Sequence, residues 1–275
     1  MFDALMGFDK PFNQAPSLHI VLLVVIWARF VKHAPRALRW VMDAWMILIA
    51  LSILTTYQHH FIDLPTGWLV GCLCVWMFPD ERAAVFARAR LTADPRRRAL
   101  ALRYAIGALA FAAAGFAIGG IALWLLWVAL SLALVAIVYL ALDPQAFEKD
   151  VGGHMTAASW WLFGPYFIGA WINSRLWTRN DPAMSEISPG MWLGRAPTRA
   201  ALDTHGIRAV VDLAAELPVF HEGRRYALVP MLDLVVPPTE AIDAAVRAID
   251  AARAEGPVLV CCALGYSRSA LACAA

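Results

Sequence analysis

The stretch Val258-Leu-Val-Cys-Cys-Ala-Leu-Gly-Tyr-Ser-Arg-Ser269 holds the most chemistry in this 275-residue chain. Cys262 is followed by five residues and then Arg268, with Gly265 between them and Ser269 directly after the Arg. A bare Cys-x5-Arg spacing means little. A preceding β-branched run, a Gly three residues after the Cys and a Ser after the Arg make it specific. Each type has a task in phosphoryl transfer. Backbone N–H groups of a tight loop that ends at a helix start bind phosphate. The same field lowers a thiol pKa and makes Cys262 a thiolate nucleophile. Arg268 can grip two phosphate oxygens at once, and Ser269 can stabilise the thiolate as it departs. The competing reading is a buried Cys that ends a core strand, with a surface Arg.

A second group lies in apolar surroundings. Pro16-Ser17-Leu18-His19 opens one apolar run, and Ser52-Ile-Leu-Thr-Thr-Tyr-Gln-His59-His60-Phe-Ile-Asp63 joins two others. His59 and Asp63 are four residues apart, so a helix continuing there would let the carboxylate hold the imidazole. Two helices with their ends on one face would bring His19 to His59. Ionisable groups at such depth are functional by default. Together they supply a nucleophile, an orienting carboxylate and a second acid. Singly, each His also reads as an interfacial residue that ends a span.

The elements that must position these groups differ between the two halves of the chain. Hydrophobic residues make up 61% of the sequence and charged residues only 16%, against about 25% charged in ordinary soluble domains. Disordered tails, fibrous repeats and ordinary cytosolic enzymes are disfavoured. The net charge of +2 is too small for a nucleic-acid binder. Residues 1–179 hold 15 Lys and Arg against 10 Asp and Glu, whereas residues 180–275 hold 8 against 11. Leu38–Thr56, Phe61–Phe78, Leu100–Ile118 and Ile121–Leu142 read as membrane spans, and Leu18–Val31 as a shorter one. Pro65 and Gly67 mark an irregular start to the third, and Gly115 with Gly119 form a small-xxx-small pair. Met1–Pro16 lacks the pattern of a cleavable signal peptide. Cys72 and Cys74 read as apolar filler, and five cysteines form no disulfide framework.

Basic loops set the expected orientation. Arg29, Lys32, Arg36 and Arg39 follow the first span, and Arg82, Arg88, Arg90, Arg96, Arg97, Arg98 and Arg103 follow the third. Both loops should therefore be cytoplasmic, with Tyr57–Gly67 and the histidines outside. A probe placed at Gln58 should report that outer side. Ala157–Trp177, rich in Trp and interrupted by Gly164-Pro165, reads as interfacial. Beyond about residue 185, short apolar runs at Met191–Leu193, Ala209–Leu213, Ala227–Leu232 and Val258–Val260 surround a helical pattern at Thr239–Ala254. Asp212 and Glu216 close the second run. This alternation predicts an α/β domain. A cytoplasmic position also suits a free thiol.

The motifs carry two resemblances. PSLH and SILTTYQHHFID resemble the second and third motifs of the type 2 phosphatidic acid phosphatase (PAP2) superfamily, with Ser52, His59 and Asp63 at that family's offsets. The resemblance implies that His59 is the nucleophile, Asp63 orients it, His19 protonates the leaving alcohol, and Ser17 and Ser52 belong to the phosphate site. The sequence departs from the family at Ile53, where an Arg is usual, and lacks its first motif. It matches only the fourth to sixth of six spans.

The loop CALGYSRS resembles the signature loop of dual-specificity protein-tyrosine phosphatases, and MWLGRAPT…GIRAVVDLAAELP resembles the start of their fold. That resemblance implies that Asp233, 29 residues before the Cys, is the general acid. The bland reading of Asp233 is a turn or cap residue before Pro237-Pro238. Cys261 stands where the family usually has His. The family fold continues past residue 275, so the resemblances imply a chain truncated at both ends.

The combination resembles bacterial inner-membrane fusions of the two families. It implies a membrane α-helical bundle of about five spans followed by a cytosolic α/β domain. Residues 1–79 would be PAP2-like, 80–142 a basic loop with two further spans, 143–184 a linker, and 185–275 phosphatase-like. The expected activity is hydrolysis of lipid or isoprenoid phosphates outside, and of a phosphoprotein or phospholipid inside. Neither centre calls for a cofactor or metal. A loop without Lys or Arg disfavours highly charged inositol phosphates. The rival readings are a phospho-headgroup transferase of the sphingomyelin synthase or inositol phosphotransferase type, and a non-catalytic phosphate-binding scaffold.

Overall fold

A computed structural model describes residues 15–56, 59–80 and 83–275. Gln58, Arg82 and residues 1–14, which include most of the stretch read for a signal peptide, lie outside the described residues. The chain divides into two compact units, Met1–Arg88 and Ala89–Ala275.

The first unit is helical. α1 covers Leu18–His33, α2 Arg36–Thr55 and α3 Asp63–Met77, followed by the single turn α4 at Val85–Arg88. Lys32 and His33 in the last turn of α1 complement its dipole. α3 starts before Pro65, so the expected irregular start is absent. Pro65 stands in the first turn, where its missing N–H leaves no bond unmade. Gly67 and Gly71 instead let α3 close on α1. A Cβ at Gly67 would meet the Ser17 carbonyl oxygen at 2.8 Å, and one at Gly71 would meet Val24 Cβ at 2.6 Å. Inside the apolar layer, Trp27 Nε1 donates to Asp43 at 2.7 Å and satisfies it.

The second unit joins helices to a sheet. α5 covers Pro95–Ile118, with Asp94 capping its start by accepting from the Arg96 N–H. Gly119, at φ 69°, ends the helix, so only Gly115 of the expected pair sits at a close approach, facing the Ala122 carbonyl. A 3₁₀ turn at Gly120–Trp124 leads into α6, Leu125–Ala141. α7 covers Ala157–Trp177 as one helix that runs through Pro165 rather than breaking there.

Three helices are long and apolar enough to cross a membrane: Arg36–Thr55, Pro95–Ile118 and Gly120–Ala141. By length and composition these make a membrane-type helical part in a chain that also has an α/β part, but five such helices are not present among the described residues. Leu18–His33 and Asp63–Met77 are apolar helices of 16 and 15 residues, shorter than the roughly 20 that a span needs.

The sheet has order β1-β2-β5-β3-β4, with β1 at Met184–Ser188, β2 at Met191–Arg195, β3 at Ala209–Ala214, β4 at Arg225–Met231 and β5 at Val258–Cys262. β1 and β2 form an antiparallel hairpin, and the other pairings are parallel. Both β3 and β5 are buried along their whole length, as expected of parallel strands covered on two faces. One face packs Val211, Val260 and Cys262 on Ala245 and Ile249 of α9, Thr239–Arg253. The other packs Val210, Leu259 and Cys261 on Leu202 of α8, Arg199–Thr204. The last helix, α10, covers Arg268–Ala274.

Candidate functional site

Parallel strands leave their carboxyl ends on one edge, and ligands in such folds bind there. β5 ends at Cys262, β4 leads into Asp233 and β3 into Glu216. Cys262 Sγ accepts the Gly265 N–H at 3.2 Å and lies 3.3 Å from Ser269 Oγ. Gly265 has φ 87°, and a Cβ there would meet the Gly194 carbonyl carbon at 2.6 Å. Only glycine fits that turn of the loop.

Arg268 is 1% exposed. Its Nη1 donates to Glu216 Oε2 and to the Met231 carbonyl, both at 2.8 Å. Its Nη2 donates to Glu216 Oε1 at 2.6 Å and lies 3.0 Å from Asp233 Oδ1. The fork is thus fixed by a two-point carboxylate pair. Its Nε, also buried, has no partner among the described residues. Burial acts to lower the Arg268 pKa, but Glu216, Asp233 and Cys262 outweigh it and raise it further. Burial acts to raise that of Glu216, and Arg268 outweighs it, so Glu216 lies below its ordinary value. Burial raises Asp233, against the pull of Arg268 and with the help of Glu216. A raised carboxyl keeps its proton to higher pH, which a general acid requires.

A second layer supports these groups. Lys149 is buried and bonded to Asp212, and it donates to the carbonyls of Ala214 at 2.8 Å and Leu217 at 2.5 Å. Tyr226 Oη donates to the same Asp212 at 2.7 Å. The segment around Glu216 is therefore held from both sides. Tyr139 Oη donates to the Asp233 carbonyl at 3.1 Å, and Ser174 Oγ donates to the Ala263 carbonyl at 2.5 Å. Glu216, Lys149, Tyr139 and Ser174 were missed as site residues by sequence reasoning. Only Glu216 left a trace, as one of the two acids that close the apolar run at Ala209–Leu213.

In the first unit, His59 Nδ1 lies 3.2 Å from Asp63 Oδ2, and His59 Nε2 lies 3.2 Å from Ser17 Oγ. The His59 and His19 rings meet edge to face at 5.7 Å. Asp63 is buried at the first residue of α3 and also accepts the His60 N–H at 2.9 Å. The four-residue contact is made by a turn before α3, not by the helical turn that the spacing predicts. In the tautomer that donates Nδ1–H to Asp63, the Nε2 lone pair of His59 points toward the Ser17 hydroxyl. Ser52 does not join this group: it is exposed on α2, and its hydroxyl donates to the Ile49 carbonyl at 2.7 Å. The structure thus brings together Ser17, His19, His59 and Asp63, and separately Asp233, Cys262, Gly265, Arg268 and Ser269.

No group of three or more His, Cys, Asp or Glu with metal-binding geometry occurs among the described residues. No protein-family model matches the chain, and no curated protein matches it.

Proposed function

We propose that this membrane protein is a phosphomonoesterase whose main centre is Cys262. The observation that carries the reading is the convergence, on one sheet edge, of a sulfur held by a glycine N–H and a buried Arg fork facing a half-buried Asp. In the first step the Cys262 thiolate attacks phosphorus. The S–P bond forms, the P–O ester bond breaks, and Asp233 gives its proton to the leaving oxygen. Arg268 and the loop N–H groups carry the charge of the equatorial oxygens. In the second step water attacks phosphorus and gives a proton to the Asp233 carboxylate. The S–P bond breaks, inorganic phosphate leaves, and Ser269 donates to the regenerated thiolate.

The contact of Ser17, His59 and Asp63 favours a second phosphoryl-transfer centre, of PAP2 type, acting on a lipid or isoprenoid phosphate. Its Nε2 would attack phosphorus with His19 as the acid, the phosphate passing to water or, in a transferase, to an alcohol. The Arg-rich loops support a cytoplasmic Cys262 centre and an outer His59 centre, as in a bacterial inner membrane.

The test is phosphate release from an aryl phosphate by the full chain in detergent. Cys262→Ser should remove turnover by about 10⁴-fold or more while a phosphate analogue still binds. Arg268→Lys should also fail, since a point charge does not replace a fork. Turnover that survives Cys262→Ser would discard the reading, and analogue binding without any wild-type turnover would mark a scaffold.

A further inference from the structure

We propose that the Cys262 centre takes its phosphomonoester from a membrane lipid, presented where α6 ends. The proposal rests on the phosphatase reading and names its substrate class. Both loops that carry the chemistry are hydrogen-bonded to helices of the apolar part. Tyr139, two residues before the end of α6, holds the Asp233 carbonyl, and Ser174, three residues before the end of α7, holds the Ala263 carbonyl. With its preceding turn, α6 is long and apolar enough to cross a membrane. Its last turn therefore lies at the edge of the hydrocarbon layer, and the general acid is one phenol away from that edge. A phosphate bound there sits at headgroup depth.

Charge points the same way. Arg97 donates to the carbonyls of Val138, Tyr139 and Leu142, and the N–H groups of Arg90 and Thr92 donate to those of Ala141 and Leu140. The arginine run is thus fastened around the end of α6, with Arg90, Arg96, Arg98 and Arg103 exposed. Such a collar attracts anionic lipid headgroups. The acid loop itself presents apolar tips. Leu234 is 62% exposed and Val236 67% exposed, beside Asp233. Leu234 holds φ 60°, a conformation that a branched residue adopts at a cost. At a headgroup–acyl boundary both tips are buried as the phosphate reaches Cys262. A phosphopeptide gains nothing from those tips and must first be drawn to the surface. A lipid phosphomonoester is already concentrated there. The products are inorganic phosphate and the lipid alcohol.

The test uses the full chain carrying His59→Ala, so that the other centre adds nothing, in phosphatidylcholine nanodiscs. Cys262-dependent phosphate release, taken as the part lost in Cys262→Ser, is measured with four substrates. These are an aryl phosphate, glycerol 3-phosphate, a phosphotyrosyl peptide, and diacylglycerol phosphate with phosphatidylglycerol phosphate in the disc. The expected result is a kcat/KM for at least one lipid about tenfold or more above both the peptide and glycerol 3-phosphate. Val236→Asp should lower the ratio of lipid to aryl phosphate turnover by about tenfold. A peptide turned over as well as or better than the lipids, with aryl phosphate still hydrolysed, overturns the lipid source and leaves the phosphatase reading standing. Glycerol 3-phosphate equal to the lipids assigns the site to a soluble phosphate and also overturns the proposal. No Cys262-dependent release from aryl phosphate sinks the phosphatase reading, and the proposal with it.

Discussion

His59 takes its carboxylate from four residues along the chain and a hydroxyl from the start of α1. Arg268, beside Cys262, takes Glu216 from 52 residues away and the Met231 carbonyl from 37. The first centre is assembled by one turn and one close helix pair, the second by the ends of three parallel strands. Their charge differs as well. Among the described residues no Lys or Arg is bonded to Ser17, His59 or Asp63, whereas Arg268 is the hub of the second centre. A turn at a helix start suffices to polarise an imidazole. Neutralising a phosphate needs a buried cation, and a buried cation needs its own counter-charge from a distant segment. The second centre carries that whole arrangement within one unit.

The comparison can be pressed hardest at Asp233. Asp233→Asn should lower turnover of an alkyl or aryl phosphate by about 10²–10⁴-fold, and less for a leaving group that needs no proton. Because burial raises the Asp233 pKa, the wild-type rate should persist above the ordinary carboxylate range. It should then fall as pH rises through the folded value. Asp233→Asn should remove that fall. A pH–rate profile unchanged by the substitution would take the acid role away from Asp233.

A large effect is also expected at the other centre. His59→Ala should cost lipid phosphate release about 10³-fold when Cys262 is already Ser. His60→Ala should cost little, because only its backbone N–H reaches Asp63. Equal losses at the two positions would break the Ser17–His59–Asp63 assignment.

Glu216→Gln should cost about 3 kcal/mol of unfolding free energy, since it leaves the buried Arg268 with only the partly exposed Asp233 as counter-charge. The folded Glu216 pKa lies below its ordinary value of 4.5. Its contribution is therefore complete above that pH and is lost as acid is added through the folded value. Thermal melts from pH 7 downward should show this acid limb in the wild type and a weaker one in Glu216→Gln. The smallest effect should come from Cys261→Ser. Its side chain packs on the sheet face opposite Cys262, and burial raises its thiol pKa well above the ordinary value. Turnover should fall less than about tenfold, and a complete loss would mean that the nucleophile is Cys261.

Much of the scaffold was legible because its signals are local. Apolar runs gave α1 to α3, α5 and α6 to within about five residues, and short apolar runs between turn residues gave β2 to β5. The Cys262–Arg268 loop was readable because its function needs particular residue types at short spacing. β1 was missed because Met184–Ser188 is mostly polar and exposed, and it forms a strand only as the outer half of a hairpin. Glu216, Lys149 and Tyr139 were missed as site residues because each acts across 52 or more positions, a distance at which no spacing rule applies. Ser52 shows the opposite failure. It fits a motif offset, yet its hydroxyl is exposed and bonds within α2, to the Ile49 carbonyl.

Lys149 also bears on where the sheet can be cut from the rest. It lies in the connection between α6 and α7, well before the first strand, yet its ammonium is sealed against Asp212 inside the sheet's own core. A fragment beginning at β1 would keep every strand and every side chain of the Cys262 centre. It would also inherit Asp212 as a carboxylate without its cation, a fault that costs about 3–5 kcal/mol in a fold whose whole margin is about 5–15 kcal/mol. The severable unit is set by where the charges close, and that boundary falls before residue 149.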